Sequence, residues 1–268
     1  MEVVSLWRYP VKSMQGEQIE TAGVAADGVV GDRQWGLRDQ RTGRVLTARR
    51  RPQLLHACAI YDGDTPVITL PDGAAVVGPG AQSDKQLSDW LGSPVSLVSS
   101  FGDAGRAEYF ADATDDTSQA IEWTMPAGRY VDAAPILVLT TASIRTAAGH
   151  HPNGAWDVRR FRPNILIDLE GEGWIEDSWV GHQIQLGTVT LNPRQPCIRC
   201  TMVTRSQPGL DADPEIFRTI ARQHGGLLGL WSDVGEHMRT HLDSYTLADC
   251  VRRARNWSQP LRTSREIG

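Results

Sequence analysis

The sequence lacks any long hydrophobic segment and any basic leader at its N-terminus. Its best apolar stretch, Ala134–Leu139, is far shorter than the roughly 18 residues that a membrane-spanning helix needs. The first eight residues carry the charges of Glu2 and Arg8 where a signal peptide would be apolar. We therefore expect a protein with no membrane partner and a cytoplasmic location.

Lysine is also scarce, because only Lys12 and Lys85 stand among 27 basic residues. The net charge of −5 offers nucleic acid no overall attraction, so a nucleic-acid partner is not expected. The arginine excess agrees with genomic base composition, and equally with guanidinium groups that capture phosphate or carboxylate in a bidentate manner. The same two interpretations, solvated surface or anion capture, apply to the arginine clusters at Arg49–Arg51, at Arg159, Arg160 and Arg162, and at Arg252, Arg253 and Arg255.

Cysteine is limited to four residues, and the expected reducing compartment argues against a disulfide framework. Cys197 and Cys200 form a C-x-x-C motif, which fits zinc binding together with His237 and His241, a redox pair, or two buried thiols. The β-branched residues after the motif predict a strand over 201–204, which would put both cysteines at its mouth. The remaining cysteines, Cys58 and Cys250, are interpreted as packing residues.

Short strands dominate the predicted secondary structure, with a few helices between them. The 268-residue chain is 40% hydrophobic and 22% charged, enough apolar content to bury a core without disulfides or metals. Alternation and turn residues predict the following elements: strands at Glu2–Arg8, Gln18–Val24, Pro135–Leu139, Asn164–Leu169 and Gln183–Asn192, a hairpin of Gln34–Arg38 with Arg44–Ala48, and helices at Asp84–Leu91, after an N-cap at Thr141, and at Asp213–Gln223.

Residues 100–132 differ from the rest because acids outnumber bases there by seven to two. We interpret them as an irregular connector that contains the domain boundary. This predicts a β-rich domain over residues 1–115 and a second domain over 116–268, which ends in an arginine-rich tail. The fold class is then α+β and β-rich, with strands that close a barrel and with peripheral helices.

A set of short motifs lies in order along residues 3–205. They are Tyr9-Pro10-Val11-Lys12-Ser13, Gly31-Asp32-Arg33-Gln34-Trp35, Thr47-Ala48-Arg49 with Pro52, Asp132 with Pro135, Ala142-Ser143, Phe161-Arg162-Pro163-Asn164, Glu176-Asp177-Ser178-Trp179 and Pro196-Cys197-Ile198-Arg199-Cys200. As an ordered set they resemble the motifs of proteins that carry a MOSC domain, named after the C-terminus of molybdenum cofactor sulfurase. Within that family the likeness is to the mitochondrial amidoxime-reducing components and their bacterial relatives.

The resemblance implies a MOSC-type β-barrel beside a smaller N-terminal β-rich domain, with a molybdenum cofactor held between the two halves. This cofactor is a pterin dithiolene with a terminal phosphate, and the family's thiolate ligand to molybdenum corresponds to Cys200. Molybdenum bound to a dithiolene accepts a soft thiolate and keeps it deprotonated. The positions that match the family's other cofactor contacts are Lys12, Ser13, Arg33, Arg162, Asn164, Ile198 and Arg199.

The activity implied by the resemblance is a molybdenum-dependent reduction of N-hydroxylated compounds such as amidoximes, hydroxylamines and N-oxides. The cysteines do not supply the C-x₄-C-x₂-C…C pattern of a plant-type iron–sulfur domain, so electrons would come from a separate ferredoxin-, flavodoxin- or cytochrome-type donor with its reductase. The alternative is a protein that carries sulfur as a persulfide on Cys200, or that binds and transfers the cofactor. A zinc-stabilised binding module is a third hypothesis.

The sequence departs from the family's pattern after Cys200, where Thr201-Met202-Val203-Thr204 replaces a Thr-Val-Asp-Pro stretch. The family's late aromatic residue corresponds to Trp231, but no Gly-Asp motif follows it. Residues 236–268 have no counterpart in the resemblance. These differences bear on the choice of substrate more than on cofactor binding.

Overall fold

The computed structural model describes residues 2–103, 105–110, 112–113, 115–116, 119–126 and 128–234. Strands make up most of the regular structure in these parts of the chain, and none of the described helices is long and apolar enough to cross a membrane. The strands are β1 (Glu2–Arg8), β2 (Glu17–Ile19), β3 (Val24–Ala25), β4 (Gly28–Val29), β5 (Trp35–Asp39), β6 (Cys58–Asp62), β7 (Thr65–Thr69), β8 (Ala75–Val77), β9 (Val95–Ser99), β10 (Arg106–Phe110), β11 (Ala120–Thr124), β12 (Ile136–Thr140), β13 (Ile165–Asp168), β14 (Ile184–Leu186), β15 (Val189–Ile198) and β16 (Leu227–Val234). The α-helices are α1 (Ala81–Leu91), α2 (Thr141–His150) and α3 (Pro214–His224), and 3-10 helices span Pro52–His56, Val158–Arg160, Ile175–Trp179 and Thr201–Thr204.

Seven strands form the largest sheet, in the order β14-β15-β16-β12-β13-β1-β2. Neighbours are antiparallel except for β12 and β13, which run parallel. Every residue of β12 is buried, which is why its continuous Ile-Leu-Val-Leu run occupies the middle of the sheet. The sheet curls into a half-barrel, and the α+β, β-rich fold class is confirmed.

Strands from both ends of the described chain meet in this sheet. The N-terminal β1 pairs with β13, so that Leu6 lies opposite Ile165, and β2 extends the sheet beyond β1. The predicted division into residues 1–115 and 116–268 stays a prediction about domains. The sheet itself combines strands from both sides of that division.

A second core belongs to the smaller sheets of the N-terminal half. There β5 pairs with β9, and β6, β7 and β8 form a meander. Helix α1 packs Leu87 and Leu91 into the same cluster as Leu37, Ile68 and Val95. These residues alternate along their strands or recur at helical spacing, as a half-buried element requires.

The predicted helices are present, with small shifts at their ends. Helix α3 begins at Pro214, behind an N-cap at Asp213 that accepts from the Glu215 N–H, and Gly225 ends it in the left-handed conformation. The prediction that Thr141 caps α2 is wrong by one residue. Thr140 is extended, and its hydroxyl oxygen accepts from Ser143 N–H at 3.2 Å.

Several of the predicted local structures differ from the structure. Strand β5 pairs along its length with β9. The predicted hairpin is present only in part: an antiparallel bridge joins Arg38 to Val45, and the Asp39 and Leu46 N–H groups donate to the Arg44 and Leu37 carbonyls, but Arg44–Ala48 is not a strand. The continuous strand predicted at Gln18–Val24 is broken into β2 and β3. Within the predicted irregular connector, β10 and β11 form a hairpin in which Glu108 lies opposite Glu122, and Arg44 bonds both carboxylates, so the like charges do not prevent pairing.

Candidate functional site

Cys200 lies just beyond the end of β15, where the sheet gives way to the 3-10 helix Thr201–Thr204. The strand predicted over 201–204 is therefore wrong: the C-x-x-C motif begins inside β15, which contains Cys197 and Ile198, and a 3-10 helix follows Cys200. Cys200 has extended backbone, with φ −133° and ψ −178°. This is unlike a redox pair at the start of an α-helix.

The Cys200 thiol is partly exposed and belongs to a charged environment. Desolvation by burial raises its pKa, and the Met202 N–H and the charge of Arg49 counteract only part of that rise. The unbound side chain thus favours the neutral thiol. A bound soft metal ion would reverse this, because coordination deprotonates a thiol.

The other cysteines do not share this environment. Cys197 is almost fully buried in β15, and burial raises the pKa of its thiol to about 11. Cys58 is half-buried, and its thiol donates to the Gly16 carbonyl at 3.5 Å. Cys250, His237 and His241 lie outside the described residues, and within the described ranges no group of three His, Cys, Asp or Glu side chains is placed to hold a metal.

A second group of predicted site residues surrounds the ring of Tyr9, which is fully buried. The guanidinium carbon of Arg33 lies 4.9 Å from the ring centre and that of Arg162 lies 4.3 Å from it. Tyr9 donates its hydroxyl to the Pro163 carbonyl at 3.1 Å. The aromatic ring therefore holds two cations close together, a cation–π arrangement that compensates part of their repulsion.

The charge of this cluster is only partly neutralised. Asp32 is fully buried, accepts from the Tyr9 N–H at 2.8 Å and pairs with Arg33. Desolvation lowers the pKa of Arg162 to about 10, and repulsion from Arg33 acts in the same direction. Arg162 donates to the Met14 carbonyl and has no carboxylate partner among the described residues. A bound anion would relieve this excess of positive charge.

Lys12 and Asp132 connect the cationic cluster around Tyr9 with the surroundings of Cys200. The Lys12 ammonium is buried and donates to the Tyr130 carbonyl at 3.1 Å and to Asp132 at 2.6 Å. Desolvation raises the pKa of Asp132, but Lys12, Arg33 and Arg162 outweigh it and the net pKa is lowered. The Asp132 side chain is 78% exposed and is therefore in contact with solvent. Its charge also acts on Cys200.

Backbone strain is concentrated at the same place. Among the described residues other than glycine, only Ser13, Arg33 and Arg162 have positive φ, at 70°, 49° and 55°. A left-handed conformation is unfavourable for such side chains and persists only where the surroundings enforce it, most often at functional sites. All three are residues for which the sequence predicts cofactor contacts. Ser13 accepts from the Ala48 N–H at 3.0 Å, which leaves its hydroxyl proton available to a ligand.

The remaining predicted residues differ in how available they are. Asn164 is buried, and its side chain accepts from the Leu137 N–H at 3.1 Å and donates to the Trp7 carbonyl at 3.3 Å. Its amide thus ties β1 and β12 to β13, and it lies 3.5 Å from Arg33. Ile198, by contrast, is 55% exposed beside Cys200.

Arg199 is a buried cation with spare hydrogen-bonding capacity. It donates through Nε to the Leu228 carbonyl at 2.9 Å and through Nη1 to the Phe161 carbonyl at 3.0 Å. Its Nη2 atom is buried and has no hydrogen-bond partner in the described part of the chain. Gly229 makes room for this group, because a Cβ there would lie 3.4 Å from Nη2 and 2.7 Å from the Val138 carbonyl oxygen.

Sequence reasoning missed several residues as site components. Tyr9, Asp32 and Asp132 stand inside or beside the motifs that carry the family resemblance, and this proximity was the available signal. Arg49 also belongs to one of these motifs, but the sequence does not indicate it as a site residue, and its charge acts on Cys200. No local pattern reveals these roles, since each depends on contacts between distant segments.

The fold and this clustered site define the class of the protein. The MOSC N-terminal beta barrel domain matches residues 1–113 and the MOSC domain matches residues 126–240, so the chain belongs to the MOSC-domain family. It is similar to human mitochondrial amidoxime reducing component 2, with 25% identity over 225 residues, which is 75% of this chain and 66% of the human protein.

Further relatives belong to the same family. Human mitochondrial amidoxime-reducing component 1 is 26% identical over 233 residues, which cover 75% of this chain and 65% of that protein. The molybdenum cofactor sulfurase of Drosophila grimshawi is 25% identical over 258 residues, 84% of this chain but only 31% of the sulfurase. This chain therefore spans about two thirds of the length of the amidoxime-reducing components and about a third of the sulfurase.

The side chains present fit a molybdenum cofactor. Lys12, Arg33 and Arg162 bring together more positive charge than Asp32 and Asp132 offset, as a phosphate-bearing ligand requires. Arg199 offers a buried donor that has no hydrogen-bond partner among the residues described in the structure. Cys200 adds a partly exposed sulfur, a donor type that suits molybdenum. Two independent features thus fit the same cofactor: a cluster of cationic side chains that can bind an anion, and the Cys200 sulfur, which can bind molybdenum.

Proposed function

We propose that the protein is a molybdenum-cofactor-dependent oxidoreductase that reduces N-hydroxylated compounds such as amidoximes, hydroxylamines and N-oxides. The observation that carries this proposal is that Ser13, Arg33 and Arg162 all have left-handed backbone and lie in one cationic cluster. The carboxylates of that cluster neutralise only part of its positive charge. Asp132, which lies in the cluster, also acts through its charge on Cys200. Similarity to amidoxime-reducing components supports the reaction class.

In this proposal Lys12, Arg33 and Arg162 bind the anionic end of the cofactor, and Ser13 donates its hydroxyl. Tyr9 orients both guanidinium groups, and Asn164 holds Arg33 in place through its amide oxygen. Arg199 directs Nη2 toward the ligand, and Ile198 forms an apolar wall beside it. The lowered pKa of Asp132 keeps this carboxylate ionised. It therefore accepts a hydrogen bond from Lys12 and holds that side chain in place, and it does not donate a proton in the reaction.

The Cys200 thiolate would be the protein ligand of the metal. The bound molybdenum centre would supply the two-electron reduction, in which an N–OH group, two electrons and two protons give N–H and water. The electrons would come from a separate ferredoxin-, flavodoxin- or cytochrome-type protein with its reductase. The proposal includes a cytoplasmic location, where reducing conditions keep thiols free.

Elemental analysis tests cofactor binding and uses two cysteines of the same chain. Protein would be purified from a host that makes the molybdenum cofactor, as wild type, Cys200→Ala and the control Cys58→Ala. We expect near-stoichiometric molybdenum and phosphorus in wild type and in Cys58→Ala. Wild-type protein without molybdenum, from a host in which insertion is known to work, would refute the proposal.

Activity tests the ligand role of Cys200 separately, because the pterin alone can retain the metal. Benzamidoxime reduction with an artificial electron donor should occur in wild type and in Cys58→Ala and be lost in Cys200→Ala. Normal turnover by Cys200→Ala would contradict the assignment of Cys200 as ligand.

A second candidate function is sulfur carriage or cofactor transfer through Cys200. Two observations favour it: the thiol is partly exposed, and molybdenum cofactor sulfurases match 81–86% of this chain. Intact-mass and peptide mass spectrometry of freshly purified protein distinguishes the two candidates. A sulfane sulfur on Cys200 in protein without molybdenum would favour the carrier, whereas molybdenum with an unmodified cysteine would favour the reductase.

A further inference from the structure

One carboxylate beside the site receives donors from both halves of the chain. Asp116 accepts from Arg49 Nε at 2.7 Å and from Thr201 Oγ1 at 2.9 Å, and it pairs with Arg205. Its side chain is mostly buried. A carboxylate that binds two guanidinium groups and a hydroxyl is held far more firmly than an exposed surface ion pair.

The backbone next to Asp116 is fastened to the same place. The Ala113 carbonyl accepts from the Thr201 N–H at 3.1 Å, and the Asp112 carbonyl accepts from Arg49 Nη2 at 2.7 Å. Arg49 itself lies 4.4 Å from the ring centre of Phe110. Residues 112, 113, 115 and 116, here called the connector segment, therefore lie against the first residue after Cys200.

This contact places the connector segment against the residue next to Cys200. Thr201 follows Cys200 directly and bonds the segment through both its backbone and its hydroxyl. Arg49, which Asp116 and Asp112 hold, lies close enough for its charge to act on the Cys200 thiol. A direct neighbour of Cys200 and a nearby cation are thus both bound to Asp116.

We propose that Asp116 is a specificity-determining positioning residue, which fastens the connector segment beside Cys200 and limits the size of molecules that reach the sulfur. The inference deepens the proposed function, since it concerns substrate choice at the same site. Its first test nevertheless needs no cofactor and no turnover. Removing the carboxylate frees three donors and loosens the segment.

The first test measures the size selectivity of thiol modification in cofactor-free protein. Wild type, Asp116→Ala and the control Asp64→Ala, which alters an exposed acid in a turn, would react with N-methylmaleimide or with fluorescein-5-maleimide. Peptide mass spectrometry would give the rate at each cysteine. The ratio of the bulky to the small reagent's rate cancels the thiolate fraction, because both reagents attack by the same chemistry.

We expect this ratio at Cys200 to rise at least about tenfold in Asp116→Ala, because the loss of even one of its charge-assisted hydrogen bonds would shift an opening equilibrium by about that factor. It should stay unchanged in Asp64→Ala. Cys58 serves as the internal reference for general loosening. An unchanged ratio at Cys200, or an equal rise at Cys58, would overturn the proposal.

A milder variant keeps the test decisive if Asp116→Ala does not fold. Arg205→Met removes one of the three donors and leaves Asp116 bound to Arg49 and Thr201, and it should raise the ratio by a smaller factor. In the holoenzyme, Asp116→Ala should raise kcat/KM for a bulky amidoxime relative to a small one. If wild type reduces no N-hydroxylated compound, the proposed function fails, while the maleimide ratio still decides the role of Asp116.

Discussion

The ring of Tyr9 provides the sharpest test of how the cationic cluster is held. Tyr9→Phe keeps both aromatic faces and removes only the hydroxyl that donates to the Pro163 carbonyl at 3.1 Å. Tyr9→Leu also removes the faces on which Arg33 and Arg162 lie, at 4.9 and 4.3 Å. The pair of variants separates the hydrogen bond from the cation–π contacts.

The expected magnitudes differ clearly. The phenylalanine variant loses one neutral hydrogen bond and leaves a buried carbonyl unpaired, a cost of about 1–2 kcal/mol. The leucine variant adds two desolvated cation–π contacts at roughly 1–2 kcal/mol each, together with a small cavity, so we expect a total of about 4 kcal/mol or more. The two cations are then left close together without the shared ring.

Urea unfolding of cofactor-free protein, followed by circular dichroism, measures both costs. Molybdenum content of holoprotein is the second readout, and it should fall in Tyr9→Leu and persist in Tyr9→Phe. If the leucine variant were no less stable than the phenylalanine variant, the ring would not be what holds the two guanidinium groups. That result would refute the reasoning.

Three further predictions concern the surroundings of the site. Gly229→Ala should lower the free energy of unfolding by about 2–4 kcal/mol, because φ is 79° and the added Cβ would lie 2.7 Å from the Val138 carbonyl oxygen. If urea unfolding showed that the free energy of unfolding falls by less than about 1 kcal/mol, the prediction would be contradicted. Arg160→Met removes the donor for four backbone carbonyls, so we expect the free energy of unfolding to fall by about 3–4 kcal/mol. A variant with the urea midpoint of wild type would show that these hydrogen bonds do not stabilise the fold. Burial raises the pKa of Glu176 despite two hydroxyl donors, so its stabilising contribution is complete at low pH and is lost as pH rises through the raised native pKa. Glu176→Gln should thus gain stability relative to wild type from pH 4 to pH 8, and parallel stability curves would exclude this coupling.

The sequence predicts well those helices and strands whose own residues carry the signal, independently of the segments they pack against. Strand β12 is a pure apolar run, and α3 carries its own start and stop signals in Asp213, Pro214 and Gly225. The hairpin of β10 and β11 was not predictable in the same way. Its facing glutamates are compatible with pairing because Arg44, far away in sequence, binds both, and because Arg50 and Arg106 each pair with one of them.

The candidate site shows the same division. The motifs indicate Lys12, Ser13, Arg33, Arg162, Asn164, Ile198, Arg199 and Cys200 as residues to examine, and their roles toward a cofactor remain predictions. The cluster around Tyr9 is invisible in sequence, because Tyr9 follows β1, Arg33 lies between β4 and β5, and Arg162 lies in the turn before β13. Backbone strain at three of these residues is likewise a product of tertiary contacts, since no local preference favours it.

The pairing of β1 with β13 has a consequence for synthesis of the chain. Leu6 leaves the ribosome long before Ile165, its partner across the sheet, so the first strand waits through more than half of translation before its edge can be paired. During that interval β2 is the only strand in the sheet order that can cover β1 from nearby. A nascent chain halted before residue 165 should therefore expose an unpaired strand edge, which is a binding site for chaperones and a route to aggregation.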